Sequence, residues 1–358
     1  MTGNLDEILS RAAQGDNLTR EDLVRILTPA DDGERALIRQ AARQARAAHS
    51  GSLVFTYGFV YLSTWCRNDC RFCAYRRTND QALRYRKNGP EVLEAAQRLA
   101  GQGVNLIDLT MGEDPATDNS EYVAEISGLI REVGRSTGLP VMISPGVVSG
   151  EALRSFKAAG ADWYACYQET HNPELFKKLR QGQSYEDRWQ TKLSALDIGL
   201  AVEEGALCGV GETAEDLADS ILAMKNLGAG QVRAMGFVPP SEAMENDGQW
   251  VASPQAGAAQ SREIDVIAAL RLAMPGRLIP ASLDVEGLAG LAARLEAGAN
   301  VITSLVPADM ELAGVAQASL DINNQARSMA GVRPVVESLG LKLASPAEYR
   351  DRLDGVRP

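Results

Sequence analysis

From residue 53 onward, short runs rich in β-branched and aromatic residues alternate with longer amphipathic stretches, and the alternation repeats eight times. The runs cover 53–62, 104–109, 140–144, 163–167, 200–207, 231–238, 277–281 and 300–305. Between them lie segments such as 121–133, where Tyr122, Val123, Ile126, Leu129, Ile130 and Val133 recur at three- and four-residue steps. Gly199, the pair Gly228 and Gly230, and Gly298 stand just before the next run, where a C′ glycine ends a helix. Alternating strand and helix predicts a parallel sheet with right-handed crossovers, and eight such units predict a closed α/β structure, a (β/α)8 barrel. The chain of 358 residues has room for a barrel of roughly 250 residues with additions at both ends. Residues 1–50 read as an N-terminal helical cap, 51–315 as the barrel, and 316–358 as a final helix and a polar tail.

Barrels of this kind carry their chemistry just after the C-terminal ends of the strands. After the first run comes Cys66-x3-Cys70-x2-Cys73, and after the second Met111-Gly112-Glu113-Asp114. Pro145-Gly146, Gln168-Glu169-Thr170 and Gly209-Val210-Gly211-Glu212 follow the third to fifth. Pro239-Pro240, Ser282-Leu283-Asp284 and Pro307-Ala308-Asp309 follow the last three. Three thiolates within eight residues can wrap one corner of a small inorganic cluster, and an all-cysteine 4Fe–4S site needs a fourth. The next candidate ligands along the chain are His49 and Cys166, so one iron is left open. An open iron can chelate the amino and carboxylate groups of S-adenosylmethionine (SAM). The alternatives are free thiols or a zinc site, which takes four protein ligands at spacings that nothing here completes.

Composition narrows the partners. A net charge of −11 argues against nucleic acid and against anionic membrane surfaces. The first 30 residues mix acids and arginines among leucines, unlike a signal peptide, and no run of about 18 apolar residues spans a bilayer. Five cysteines, three of them clustered, fit a reducing cytoplasm rather than a disulfide framework. Cys166 and Cys208 read as small core residues near strand ends, and His171 as a surface histidine at a helix start.

The cysteine motif, with Phe72 before its last member, resembles that of the radical SAM superfamily. That resemblance implies a TIM-type barrel and one 4Fe–4S cluster on Cys66, Cys70 and Cys73. It also implies SAM cleaved reductively to a 5′-deoxyadenosyl radical, with reduced flavodoxin or ferredoxin as electron donor. Met111-Gly112-Glu113 is similar to the G-G-E element that holds the methionine ammonium. The stretches 167–170 and 179–188 resemble a segment of biotin synthases and of the iron-hydrogenase maturase, which implies Glu169 at the SAM sugar or amino group and Arg188 on its carboxylate. Tyr75, Ser144 and Gly209 complete the implied SAM set. Plainer readings stand beside these: a helix-start acid for Glu113, a solvated helix face for Arg188, and a rim tyrosine for Tyr75. Glu203 occupies the position that ligates the second cluster of biotin synthases, which argues against sulfur insertion.

Longer strings narrow the resemblance further. Residues 108–115, 142–146, 167–170, 277–287 and 297–300 are similar to the methylornithine synthase family, radical SAM mutases of pyrrolysine biosynthesis. The similarity implies isomerisation of L-lysine to (3R)-3-methyl-D-ornithine by fragmentation and recombination of the carbon skeleton. It places substrate binding on Asp114, Arg233, Ser282 and Asp284, a set that suits two ammonium groups and one carboxylate. The chain departs from the family at Pro239–Met244, a segment that borders the substrate chamber in relatives, so a close analogue of lysine stays open as substrate. The competing functions are a biotin-synthase-like or maturase-like enzyme acting on another small metabolite, and a non-catalytic iron–sulfur or zinc protein.

Overall fold

The computed structural model describes residues 4–238, 258–307 and 326–357. The expectations at Pro239–Met244 and at Ala308-Asp309 lie outside the described residues. Eight parallel strands form the barrel: β1 Leu53–Ser63, β2 Leu106–Met111, β3 Val141–Ser144, β4 Trp163–Ala165, β5 Ala201–Cys208, β6 Gln231–Gly236, β7 Pro280–Ser282 and β8 Val301–Leu305. They pair in the order β6-β5-β4-β3-β2-β1-β8-β7. Between β6 and β7 the ring closes by one parallel bridge, Gln231 to Leu278, where Val232 N–H donates to Leu278 O at 2.9 Å. β4 is shorter than its apolar run: its ladder to β5 stops after Ala165 and resumes as one parallel bridge between Glu169, at a left-handed φ of +69°, and Ala206.

The helices between strands follow from local chemistry. Ser120–Thr137 starts on Asn119, whose side chain accepts from Glu121 N–H, and stops at left-handed Gly138. It buries Val123, Ile126, Ile130 and Val133 along one stripe. The strands are covered on both faces, so nearly all their residues are buried and alternate between two cores. Phe55, Tyr57, Leu106, Met142, Trp163, Ala201 and Val301 fill the interior, while Val54, Ile107, Val202 and Ile302 meet the helices. The same alternation separates two adjacent acids. Glu203 points inward to Arg233, and Glu204 points outward to the buried Lys192 of helix Tyr185–Asp197.

The helices α1 Leu5–Ala13, α2 Arg20–Leu27 and α3 Asp32–Ser50 pack outside the ring, against Ala214–Leu227 and Ala258–Ala273. Arg20 reaches Asp219, and Arg35 and Arg39 share Asp265. The C-terminal segment holds two helices, Met329–Ser338 and Pro346–Asp354, flanking a short strand Lys342–Leu343 that pairs with the start of β1. Tyr349, Leu353 and Val356 then close the base of the interior, with Tyr349 edge-on to Phe55 at 5.7 Å. Among the described residues no helix is long and apolar enough to cross a membrane.

Buried Asn105 knits this base together. Its Oδ1 accepts from Thr56 N–H at 2.8 Å and its Nδ2 donates to Ala344 O at 2.9 Å. Asn105→Leu strands both backbone groups away from water and should lower stability by about 2–4 kcal/mol. A urea titration of the metal-free protein checks this, and an unchanged midpoint would show that solvent replaces the amide.

Candidate active site

β1 runs to Ser63, and the cysteine loop then crosses the mouth of the barrel. Two elements hold it. Asp69–Cys70 forms an antiparallel ribbon with Arg180–Gln181, and Arg71 N–H donates to Leu179 O at 2.9 Å. On the other side Gly112, after β2, presses on the loop so closely that a Cβ there would lie 2.3 Å from Trp65 O and 3.0 Å from Cys66 Cβ. Cys66, Cys70 and Cys73 all line one cavity of about 230 Å³. Burial pushes the Cys66 thiol up, and burial together with Cys70 and Cys66 pushes Cys73 up to about 12. Crowded thiols that resist ionisation suit a polynuclear cation, which supplies the missing positive charge. Cys70 Sγ also accepts from Gln183 Nε2 at 3.1 Å and Arg180 Nη1 at 3.4 Å.

Two acid–arginine pairs form the wall above the loop. Glu113 Oε2 accepts from Arg188 Nη2 at 2.9 Å and from Val147 N–H at 3.1 Å. Gly146 makes room for it: φ there is +75°, and a Cβ would come within 2.6 Å of that oxygen. Glu169 accepts from Arg180 at 3.1 Å, and its burial raises its pKa against the pull of Arg180, Arg188 and Arg233. Met111, Gly112, Tyr75 and Ser144 line the same cavity, with Tyr75 ring-to-ring on Tyr61 at 5.7 Å. Gly209 is not in the lining; its N–H donates to Glu212 at 2.8 Å.

The floor differs from the expected substrate set in two places. Asp114 is fully buried outside the cavity lining, and both its oxygens are bonded, to Arg86 at 2.7 and 2.8 Å, to Ser63 Oγ at 2.6 Å and to Ala116 N–H at 2.9 Å. It fixes the loop ends, with its bonds spent on Arg86, Ser63 and Ala116. Asp108, two residues before the end of the inward-facing set on β2, faces the cavity instead. Burial, with Glu203 nearby, pushes its carboxyl up to about 8, against a 2.8 Å bond from Ser144 Oγ and the field of Arg233. Ser282 also lies outside the lining, behind Asp284, whose amide N–H it accepts at 3.2 Å. Asp284 reaches the cavity but pairs with buried Arg327 and accepts from Ser304 Oγ at 2.5 Å. Arg233 reaches it too, with Nε on Glu203 at 2.7 Å, a second nitrogen on Tyr57 Oη, and its guanidinium 5.4 Å from the Tyr167 ring centre.

Asp108, Arg180, Gln183 and Arg327 are therefore functional candidates that the sequence did not single out, and Glu203, noted there only against sulfur insertion, joins them as the partner of Arg233. Strand alternation from Leu106 could have found Asp108, since it shares a face with Leu106 and Thr110. Arg180 and Gln183 lay in a stretch of which only Arg188 was singled out. Nothing local signals Arg327, whose partner is 43 residues away. His171 corrects another expectation. It is buried edge-on to Trp189 at 5.7 Å, with both ring nitrogens unbonded, and burial pushes its pKa down to about 3. Cys166 and Cys208 are buried as expected, and Cys166 Sγ accepts from Arg188 at 2.9 Å.

Residues 60–224 match the radical SAM superfamily. The chain is 37% identical over 352 residues to a 3-methylornithine synthase of Methanosarcina acetivorans, covering 97% of both chains. It is 30% identical to the [FeFe] hydrogenase maturase subunit HydE of Thermotoga maritima, over 84% of this chain and 83% of that one. The crystal structure of methylornithine synthase (PylB) superposes with a TM-score of 0.87 at 36% identity, over 96% of this chain and 99% of the other. Cluster loop, barrel and near full-length identity agree: the chain belongs to the methylornithine synthase family of radical SAM enzymes, which use a 4Fe–4S cluster and SAM.

Proposed function

We propose that this protein is a carbon-skeleton mutase that isomerises L-lysine to (3R)-3-methyl-D-ornithine, with Cys66, Cys70 and Cys73 carrying the cluster. Bound together, cluster and SAM supply a 5′-deoxyadenosyl radical by one-electron cleavage. Glu113 is set to take the SAM ammonium, Arg188 its carboxylate, and Glu169 its ribose or amino end, with Met111, Gly112, Ser144 and Tyr75 around them. We further infer a reducing, cytoplasmic setting and a low-potential donor such as reduced flavodoxin or ferredoxin, since an open iron is oxygen-sensitive and the cleavage needs one electron.

The observation that carries the lysine reading is the charge pattern of the chamber. Glu113, Glu169 and Asp284 are each bonded to an arginine, as is Glu203 behind the wall. Asp108 is the acid among the described lining residues that has no cation bonded to it. A chamber with one uncompensated acid suits a ligand of net charge +1, which lysine is, with two ammonium groups and one carboxylate. Arg233, with its fork partly held by Glu203 and Tyr57, can receive the carboxylate, and Asp108 with Asp284 can receive the ammonium groups. A ligand without a cation makes no charge-assisted bond to Asp108.

Four outcomes test the reading. Anaerobic incubation of reconstituted enzyme with dithionite, SAM and L-lysine should yield an isomer of lysine by mass spectrometry; 5′-deoxyadenosine formed while lysine stays intact would remove lysine as substrate. Cys70→Ala should lose iron and SAM cleavage while the far-ultraviolet circular dichroism stays unchanged. Lysine should bind the ionised form of Asp108, whose pKa lies at about 8. Apparent lysine affinity should thus rise roughly tenfold per unit as pH increases toward that value and level off above it. Equilibrium dialysis of wild type and Asp108→Asn checks this, and the same slope in both would sink the role of Asp108. Arg233→Lys keeps a charge opposite Glu203 but loses the fork, and should cut lysine turnover by about 100-fold while SAM binding holds.

A further inference from the structure

The ribbon that fixes the cysteine loop also aims two N–H donors at one of its sulfurs. Gln183 Nε2 lies 3.1 Å and Arg180 Nη1 3.4 Å from Cys70 Sγ. The glutamine amide has one permitted orientation. Its Oε1 accepts from Arg188 Nη2 at 2.8 Å and from Arg180 Nη1 at 3.3 Å, and arginine can only donate. The NH2 end must therefore be the one that meets the sulfur. Gln183 is not in the cavity lining, and its amide is spent on Cys70 and the two arginines.

We propose that Gln183 is a positioning residue that sets the reduction potential of the cluster through its hydrogen bond to Cys70, and ties that potential to occupancy of the SAM site. The inference rests on the reading above, in which Cys66, Cys70 and Cys73 hold a 4Fe–4S cluster. One-electron reduction adds negative charge that the sulfurs share, and N–H donors to sulfur stabilise that reduced form. The tie to the SAM site is a chain of bonds. Arg188 spans Gln183 Oε1 and Glu113 Oε2, the latter at 2.9 Å, and Arg180 spans Cys70 Sγ and Glu169 Oε1, the latter at 3.1 Å. A ligand that engages Glu113 or Glu169 changes what their arginines give to Gln183 and Cys70. By linkage, the potential and ligand affinity then shift together.

The test is a redox titration of the full-length, reconstituted protein, followed by the electron paramagnetic resonance signal of the reduced cluster, with and without SAM. At a fixed applied potential the reduced-to-oxidised ratio of Gln183→Leu should fall about threefold to tenfold, tenfold being about 59 mV for a one-electron couple. Gln183→Glu keeps the shape and the arginine contacts but replaces the donor with a carboxylate, so its ratio should fall at least as far. The change that SAM causes in this ratio should be smaller in Gln183→Leu than in wild type. Ratios within twofold of wild type in both variants, at full iron and sulfide content, would overturn the inference and leave the cluster reading standing. A wild-type protein that takes up no iron would overturn the cluster reading and this inference with it, and iron analysis distinguishes the two failures.

Discussion

Arg233 and Glu203 face each other across β6 and β5 inside the barrel, and the rest of the interior is arranged around that buried pair. An unpaired charge in such a place costs several kcal/mol, so neither residue can be there without the other. The aromatic rings follow from the same constraint. Tyr57 donates to Glu203 at 3.2 Å and accepts from Arg233, while Tyr167 lies beside the guanidinium. Gly205, opposite Arg233 on β5, gives both room, since a Cβ there would meet Arg233 Cβ at 3.2 Å and Tyr167 Cδ1 at 3.3 Å. Below the pair the interior is filled by Phe55, Trp163 and Tyr349; above it lies the chamber.

The cysteine loop depends on that interior for its position. It leaves β1 at Ser63, whose hydroxyl donates to Asp114, and Arg86 from the far end of the loop closes on the same carboxylate. Asp114 thereby acts as a staple between the two ends of a 24-residue crossing. Its bonds explain why an acid beside a candidate SAM residue lies outside the lining of the chamber. The ribbon with Arg180–Gln181 makes a second staple, and it brings the strand-four turn with Glu169 to the loop. The groups that would hold the cluster and those that would hold SAM are thus fixed by shared bonds.

Much of this was legible in the sequence because barrel chemistry sits at predictable places. Eight apolar runs gave eight strands, with ends shifted by a residue or more, as where β4 stops at Ala165. The cysteine spacing, Glu113, Glu169 and Arg188 all fell on the mouth, where strand ends put them. What could not be read was which of two nearby acids faces inward. Asp108 and Asp114 stand in the same stretch, 108–115; strand alternation decides for Asp108, but only once the extent of β2 is known. Arg327 was illegible for another reason: its pairing with Asp284 depends on where the C-terminal segment returns to the barrel, which no local pattern encodes. His171, polar and next to a helix start, looked exposed; its neighbour Trp189 covers it from a helix that begins 14 residues later.

The pairing of nearly every acid raises the question of how such a chamber recognises a cation. A naked carboxylate held ready for an ammonium group would be a buried, unpaired charge whenever the chamber was empty. Asp284 avoids that state by keeping Arg327, so it can offer a ligand only further hydrogen bonding at oxygens already engaged. Asp108 avoids it differently. Its raised pKa lets it rest as a neutral acid, with the Ser144 hydroxyl at 2.8 Å on one oxygen, and an arriving ammonium displaces the proton. Neither state then holds an uncompensated charge away from water. Discrimination follows from the same property, because a ligand without the matching cation leaves Asp108 protonated and gains no charge-assisted bond from it.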